Sequence, residues 1–145
     1  MKDNILMQIA NGLSANVQKL MSPGLLEGKM GVAVFLYHYA RSSGRTAYSQ
    51  LADYLLDEIL ESINQSQLSF VDGLSGIGWG IKHLLKAKVI DATDDILDEL
   101  DNTIIRTLTN RTTEDIIDGC IYLIFNRPEL LNDSLMQFVA KNFST

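Results

Sequence analysis

The alternation of hydrophobic and polar positions predicts helices along most of the chain. The first apolar stripe follows spacings of one, three and four residues, typical of an amphipathic helix, and comprises Ile5, Leu6, Ile9, Leu13, Val17 and Leu20. Ser22, Pro23 and Gly24 follow it. Because proline disfavours a helical conformation in the residue before it, we predict that the first helix covers residues 1–21 and ends there.

Further stripes of the same kind predict helices two to five. The apolar positions of helices two and three are Val32, Phe35, Leu36 and Tyr39, followed by Tyr48, Leu51, Leu55, Leu56, Ile59 and Ile63. Those of helices four and five are Leu74, Ile77, Ile81, Leu84 and Leu85, followed by Ile96, Leu97, Leu100, Ile104 and Leu108. Helix two should end at Gly44, and helix five should open on the acidic segment from Asp91 to Asp95, which suits the helix dipole. The polar segment 64–67 is predicted to be a loop.

The last part of the chain offers a choice between helix and strand. Ile116 and Ile117 precede an uninterrupted apolar run from Ile121 to Phe125, whose β-branched and aromatic residues favour a strand. Every other element is helical, and the repeat described next places a helix here, so we predict helix six. Pro128 is predicted near the first position of helix seven, whose apolar positions are Leu131, Leu135, Phe138 and Val139.

A pair of glycines recurs at a fixed period and divides the chain. Gly28 and Gly31 open one apolar run, and Gly73 and Gly76 open the next one 45 residues later. An acid precedes the first glycine in both copies. A third, degenerate copy at Gly119 keeps the acid but lacks the second glycine. A period in this range is typical of repeat architectures with one supersecondary unit per repeat.

The chain of 145 residues therefore fits one domain, built from one helix and three helical hairpins, about seven helices in all. The predicted boundaries are 1–145 for the domain, 1–21 for the first helix, 24–66 for repeat one, 69–111 for repeat two and 114–145 for degenerate repeat three. Gly73, Gly76 and Gly80 share one face of helix four. Because a glycine inside a helix destabilises it by up to about 1 kcal/mol relative to alanine, we expect another backbone to pack closely against that face.

Composition and charge exclude several classes of function. The net charge of −6 and a pI near 4.7 argue against a nucleic-acid binder, which needs clustered lysine and arginine. Cys120 is the single cysteine, so the chain has no internal disulfide and suits a reducing compartment. We see no signal peptide, and no apolar run approaches the roughly 18 residues of a membrane span. We expect a cytoplasmic protein that does not bind membranes.

The two complete glycine segments carry a family resemblance. Gly24 to Leu36 (GLLEGKMGVAVFL) and its echo from Ser69 to Ile77 (SFVDGLSGI) resemble the lanthionine synthetase C-like (LanC-like) family. That family builds an α/α toroid of two concentric helix layers, with the glycine motifs opening the inner helices at one rim. The resemblance covers Gly24 to Phe125 and implies a partial, open toroid in which helices two, four and six are inner and three, five and seven outer.

Enzymes of this family cyclise dehydrated peptides with a zinc ion that activates a cysteine thiol. Their zinc ligands are two cysteines and a histidine, and one Cys-His pair stands directly before a repeat glycine. Here the corresponding positions hold Leu26-Glu27, Val71-Asp72 and Ile117-Asp118. Catalytic zinc needs about three protein ligands. We therefore predict no zinc cofactor and no catalytic residues, although the sequence alone leaves the question of enzyme activity open.

Candidate binding residues lie at the rim. Glu27, Asp72 and Asp118 should project at the same edge, where three carboxylates suit a basic peptide segment or a cation. The alternative is helix capping, since an acid before a helix accepts backbone N–H bonds and suits the dipole. Trp79, between two glycines, is either an aromatic platform for a ligand or, as we favour, a large side chain that fills the space beside its neighbours.

The other residues with chemical potential are His38, His83 and Cys120. The two histidines follow Gly28 and Gly73 by ten residues each, which places them at equivalent repeat positions but far from the rim. We expect ordinary partly buried or helix-end histidines and no metal site. Cys120 has no neighbouring base of the kind that activates a cysteine nucleophile, so we expect a buried, inert thiol.

These observations favour a binding or accessory protein: a truncated LanC-like toroid without cyclase chemistry that holds a peptide or a partner protein during peptide modification. The apolar run Ile121 to Phe125 makes the C-terminal flank the expected interface, and we predict a homodimer in which two arcs complete one ring. Two alternatives remain open. One is a cyclase whose zinc-binding half comes from a second chain, and the other is a purely structural helical remnant.

Overall fold

The computed structural model describes residues 2–20, 22–65, 67–110 and 116–143, and the regular secondary structure within these ranges consists of helices without strands. The seven α-helices of the described ranges are Lys2–Asn16 (α1), Lys29–Ser43 (α2), Thr46–Glu61 (α3), Leu74–Lys86 (α4), Asp98–Asn110 (α5), Ile116–Asn126 (α6) and Asp133–Phe143 (α7). Short 3₁₀ turns cover Val17–Lys19, Ile63–Gln65, Asp94–Leu97 and Pro128–Leu130. The predicted all-α class is confirmed, and the apolar run of α6 is helix, not strand.

Several predicted helix ends differ from the structure. The first α-helix ends at Asn16 and continues as a 3₁₀ turn, and the acidic segment before α5 forms another 3₁₀ turn, so that α5 begins at Asp98. Helix α7 begins at Asp133 and not near Pro128. The Asn132 side chain explains this start, because its Oδ1 accepts the Leu135 N–H at 2.8 Å and caps the helix. The predicted boundaries at residues 1, 21, 66, 111, 114 and 145 lie outside the described residues.

Helices α2, α4 and α6 lie side by side in chain order. Helix α4 packs against both α2 and α6, while α3 pairs with α2 and α5 contacts α4 and α6. The C-terminal stop of α2 is as predicted, since Gly44 has φ 71° and its N–H donates to the Ala40 carbonyl at 2.9 Å. This arrangement of hairpins agrees with part of an α/α toroid whose inner row is α2, α4 and α6.

The core follows the predicted stripes of α2 to α5. The first stripe is confirmed in part, since Leu6, Leu13, Val17 and Leu20 pack on the core but Ile5 and Ile9 do not. Ile5 and Ile9 are 54% and 45% exposed. The face that packs on the core carries Leu6, Ala10, Leu13 and Val17. Both faces have helical spacing, and α2, against which α1 packs, selects the one with the small Ala10 side chain.

The second glycine of each complete pair lets a loop fold back onto its helix. A Cβ atom at Gly31 would lie 2.1 Å from the Leu25 carbonyl oxygen, and one at Gly76 would lie 2.0 Å from the Phe70 carbonyl oxygen. The close backbone expected at the glycine face of α4 is therefore present at Gly76, although the atoms closest to Gly80 belong to the Met30 side chain. The glycine spacing thus has a steric cause that repeats with the sequence.

The three glycine segments are neighbours along one edge of the helix row. The Leu26 N–H donates to the Val71 carbonyl at 3.0 Å, which joins the segments of repeats one and two. The Phe70 N–H donates to Asp118 Oδ2 at 2.9 Å, which joins repeat two to α6. We call this edge the rim. None of the helices described here has both the length and the apolar character needed to cross a bilayer.

Candidate functional site: a cleft between α4 and α6

A cleft of about 360 Å³ opens between α4 and α6 near the rim. Its described lining residues are mostly aromatic or aliphatic: Phe70, Ser75, Trp79, Asp118, Ile121, Tyr122, Phe125 and Asn126. Two of the four residues that the sequence nominated for binding, Trp79 and Asp118, are therefore brought together here. The other two, Glu27 and Asp72, are not among the lining residues.

The floor of the cleft depends on a close approach of α6 to α4. The Tyr122 ring lies where a side chain at Gly78 would be, since a Cβ atom there would come within 2.5 Å of the ring. The Tyr122 hydroxyl donates to Asp101 Oδ1 at 2.7 Å. Because Gly78 has no side chain, the Tyr122 ring can pack directly against α4. Asp101 of α5 then fixes the position of the ring through its hydrogen bond to the hydroxyl group.

The sequence analysis did not predict the buried ion pair beside Tyr122. Arg127 is 5% exposed and Asp101 is 2% exposed, and their Nε and Oδ2 atoms are 2.8 Å apart. Burial raises the pKa of Asp101, while the Tyr122 hydrogen bond and the Arg127 charge act in the opposite direction. Asp101 occupies a helical position between the buried Leu100 and Ile104, and this is the only signal in the sequence that could have pointed to it.

Trp79 forms one side of the cleft and is not a core residue. Its side chain is 39% exposed, so the favoured interpretation, filling of space beside its glycine neighbours, is wrong. Tyr122 and Met30 occupy the space beside Gly78 and Gly80 instead. The indole packs edge-on against Phe70, with ring centroids 6.4 Å apart and an interplanar angle of 74°. An exposed, supported indole of this kind offers a flat apolar face to a ligand.

Asp118 provides the charge of the cleft. It lies within the first turn of α6, is half-buried, and accepts the Phe70 N–H through Oδ2. It is the one charged side chain among the described lining residues. The described lining of the cleft is therefore mostly apolar with a single anionic group, and this combination suits an apolar side chain next to a positive charge.

Glu27 and Asp72 occupy the equivalent repeat positions but have other surroundings. Both are exposed, and within the described part of the chain neither forms a hydrogen bond or ion pair. The N-cap residues of α2 and α4 are Gly28 and Gly73, and neither helix has a side-chain cap bond. Among the described residues these two carboxylates thus do not cap their helices through hydrogen bonds, while their favourable interaction with the helix dipole stays a prediction.

The mouth of the cleft is continuous with an apolar face of α6. Ile117, Ile121, Ile124 and Phe125 are 51%, 48%, 45% and 74% exposed. These residues are spaced by four, three and one positions, so they share one side of the helix. We call them the α6 face.

The two histidines lie behind Trp79. His38 Nε2 and His83 Nε2 are 2.8 Å apart, and the His83 ring stacks on the Trp79 indole with centroids 5.3 Å apart and an angle of 7°. Burial lowers the pKa of His38, with further lowering from the charges of His83 and Arg41. Equivalent repeat positions are thus in direct contact, because α2 and α4 are neighbours.

The zinc site implied by the resemblance does not fit these residues. Across the described ranges, no three side chains of the histidine, cysteine, aspartate and glutamate types converge on a point. Cys120 is 3% exposed, as expected of a buried thiol, and burial raises its pKa. The residues before the repeat glycines offer carboxylates where the family has its Cys-His pair. The described residues therefore do not provide the ligand set of two cysteines and one histidine that holds zinc in the family's enzymes.

Comparison with known proteins supplies the family. The family model described as Lanthionine synthetase C-like protein matches residues 19–144. No curated protein and no solved structure gives a significant match. The matched range includes repeats one and two, repeat three as far as residue 144, both complete glycine pairs and the described lining residues of the cleft. The chain belongs to the lanthionine synthetase C-like (LanC-like) family.

Proposed function

We propose that this protein is a peptide-binding accessory of ribosomal-peptide (lanthipeptide-type) modification, and that the cleft between α4 and α6 holds a segment of the peptide. The observation that carries the proposal is the open apolar cleft with Asp118 as its one charged lining residue among those described. Concave, mostly apolar surfaces with a few placed polar groups are the usual form of ligand sites.

The size and exposure of the cleft favour a short peptide segment over a large cofactor. A volume of about 360 Å³ accommodates one or two side chains. Trp79 and Phe125 are exposed at its edge, and exposed apolar groups of this size are commonly covered by a partner. An extended peptide could therefore place one apolar side chain in the cleft and continue along the surface.

The Asp118 carboxylate determines which residue of the peptide we expect next to the apolar side chain in the cleft. Asp118 Oδ2 is engaged by the Phe70 N–H, while Oδ1 has no hydrogen-bond partner within the described residues. A lysine or arginine beside the apolar residue would form a charge-assisted hydrogen bond with Oδ1. The proposed ligand is thus a segment with a leucine or phenylalanine directly followed by a lysine or arginine.

The sole tryptophan makes the proposal directly testable, because Trp79 forms part of the cleft. Capped hexapeptides with a central Leu-Lys pair would be titrated against the full chain at submicromolar protein concentration, with intrinsic fluorescence as the signal. We expect a saturable change for the Leu-Lys peptide, and at least tenfold weaker binding of matched Leu-Glu and Ser-Lys peptides. Equal responses to all three peptides would contradict the proposal.

Asp118 and Asp72 provide a matched pair of variants, since they occupy equivalent repeat positions. Asp118→Asn removes the charge but keeps an oxygen that can accept the Phe70 N–H, so the fold is retained. We expect it to weaken Leu-Lys binding about five- to tenfold, by roughly 1–1.4 kcal/mol. Asp72→Asn, which alters an exposed carboxylate outside the cleft, should leave binding unchanged. Equal effects of the two variants would assign the attraction to net charge and not to the site.

A further inference from the structure

The His38–His83 pair has a geometry that is independent of peptide binding. The two Nε2 atoms face each other at 2.8 Å, one from α2 and the other from α4. Only one proton can lie between two nitrogens at this distance, so one imidazole donates and the other accepts. Both side chains are half-buried, which leaves the pair accessible to solvent.

The surroundings hold both rings in place and favour the neutral form of His38. The Trp79 indole stacks on His83 in a nearly parallel arrangement and restricts the tilt of that ring. Burial, His83 and Arg41 lower the pKa of His38, which favours its neutral imidazole form. The Nε2 atoms of two imidazoles on adjacent helices thus face one point, and the accepting ring directs its lone pair at that point.

We propose that His38 and His83 together bind a late first-row divalent metal ion such as Zn²⁺, Ni²⁺ or Cu²⁺. Imidazole nitrogen suits these ions, and two rigidly placed imidazoles chelate more strongly than one. The remaining coordination positions are filled by water, because both side chains retain solvent access. This donor set differs from that of the family's zinc site, since it contains no cysteine and no residue next to a repeat glycine.

The geometry requires only a small adjustment. With metal–nitrogen distances of about 2.0–2.1 Å in a tetrahedral arrangement, the two nitrogens would be roughly 3.3 Å apart. The pair therefore has to open by about half an ångström, which rotations of two side chains provide. On metal binding the donating imidazole would lose its Nε2 proton to solvent and take up a proton at Nδ1, so that both Nε2 lone pairs reach the ion, which would link α2 to α4 across the inner row.

The positive charge of Arg41 lowers the expected affinity of the histidine pair for a divalent metal ion. Its guanidinium acts electrostatically on His38 and is bound to the Ala87 carbonyl. A fixed positive charge nearby favours neutral imidazole but repels a divalent cation. Arg41→Gln should therefore tighten metal binding, whereas an ion that bound elsewhere on the surface would be insensitive to this change.

The experiment uses the untagged full chain, so that His38 and His83 are the only histidines present. Ni²⁺, which quenches fluorescence by its unpaired electrons, would be titrated while Trp79 emission is recorded, with Zn²⁺ as a competitor that does not quench. We expect saturable quenching that Zn²⁺ reverses. We also expect Zn²⁺ to shift the imidazole proton NMR signals of both histidines.

Two single variants make the proposal falsifiable. His38→Gln and His83→Gln should each weaken Ni²⁺ quenching at least tenfold, and Arg41→Gln should strengthen it two- to fivefold. Circular dichroism would confirm that each variant is folded. Quenching that is unchanged in both histidine variants, or absent in the wild type up to millimolar Ni²⁺, would overturn the proposal. A Zn²⁺ effect on only one imidazole signal would also overturn it.

Discussion

The second glycine of each complete repeat is needed for the rim, because any larger side chain there would overlap the backbone of the preceding loop. At Gly31 and Gly76 the carbonyl oxygen of the residue three positions before the first glycine occupies the place of a side chain. Leu25 and Phe70, which provide these carbonyls, are themselves 45 positions apart. The loop before each inner helix therefore has the same fold in both complete repeats, and the degenerate copy shows the contrast. Gly119 corresponds to the first glycines, Gly28 and Gly73, which have backbone atoms at 2.5 Å and 2.3 Å from an added Cβ. At Gly119 the nearest atom among the described residues is a Leu108 methyl carbon at 3.2 Å, which can shift.

Replacement of Gly76 by alanine should destabilise the protein measurably. The added Cβ would lie 2.0 Å from the Phe70 oxygen, so the loop has to move, and we expect the free energy of unfolding to fall by about 1–3 kcal/mol. Urea denaturation followed by circular dichroism would measure this. Gly12→Ala is the matched control, because nothing lies within 4 Å of a Cβ in the middle of α1, and it should stabilise by about 0.5–1 kcal/mol. A Gly76→Ala protein as stable as the wild type would contradict the steric explanation.

At the scale of the element, α6 combines a buried side with an exposed apolar one. Ile116, Tyr122 and Leu123 are buried, whereas the α6 face is about half exposed or more. The helix was predicted from the repeat period in spite of its strand-like composition, and this prediction is confirmed. The exposed side follows from the same uninterrupted run of apolar residues, because such a run cannot turn all of its members towards one neighbour.

The α6 face should mediate self-association, as the apolar run indicated. We expect a dimer at tens of micromolar by size-exclusion chromatography with light scattering. Phe125→Asp should shift the equilibrium to monomer with little loss of stability, since the Phe125 side chain is 74% exposed. Ile5→Asp changes a similarly exposed isoleucine on α1 and should leave the dimer intact. A monomeric wild type at these concentrations would refute the prediction, and the cleft would then be free for peptide at any concentration.

For the whole molecule, the contact between α2 and α4 couples stability to pH. The pKa of His38 is lowered from its ordinary value of 6.5 by burial, by His83 and by Arg41. The unfolded chain therefore binds a proton near pH 6.5, while the folded chain resists protonation until the pH is lower. Because the unfolded state binds more protons in this interval, stability falls as the pH drops below about 6.5.

His38→Gln should flatten this dependence. Urea midpoints would be measured between pH 7.5 and pH 5.5 for the wild type and the variant, and the slope between these values should be smaller for the variant. Glu58 and Asp94 also have pKa values shifted by their partners, but both are lowered carboxyl groups that titrate at more acidic pH. Their contribution should persist in both proteins. Identical slopes in the two proteins would show that protonation of His38 does not contribute to the pH dependence of stability.

For several features the sequence shows a pattern, but only the structure shows which residues are in contact. The equivalence of His38 and His83 was visible in the repeat, yet their 2.8 Å separation required the neighbouring arrangement of α2 and α4. Trp79 was assigned to the core because a sequence shows glycine neighbours but not which side chains fill the space beside them. Arg127 and Asp101 form a buried ion pair whose partners come from different elements. No local pattern predicts such a pair.

The sequence by itself determined the helices, their order and the position of the glycine pairs, because helical periodicity, breaker residues and the 45-residue repeat are local properties of the chain. The tertiary structure alone decided which of three equivalent acids faces a cleft, which side of α1 is buried and which two histidines touch. Each of these outcomes depends on how close two distant helices come, and that distance is set by side chains from separate repeats packing against one another.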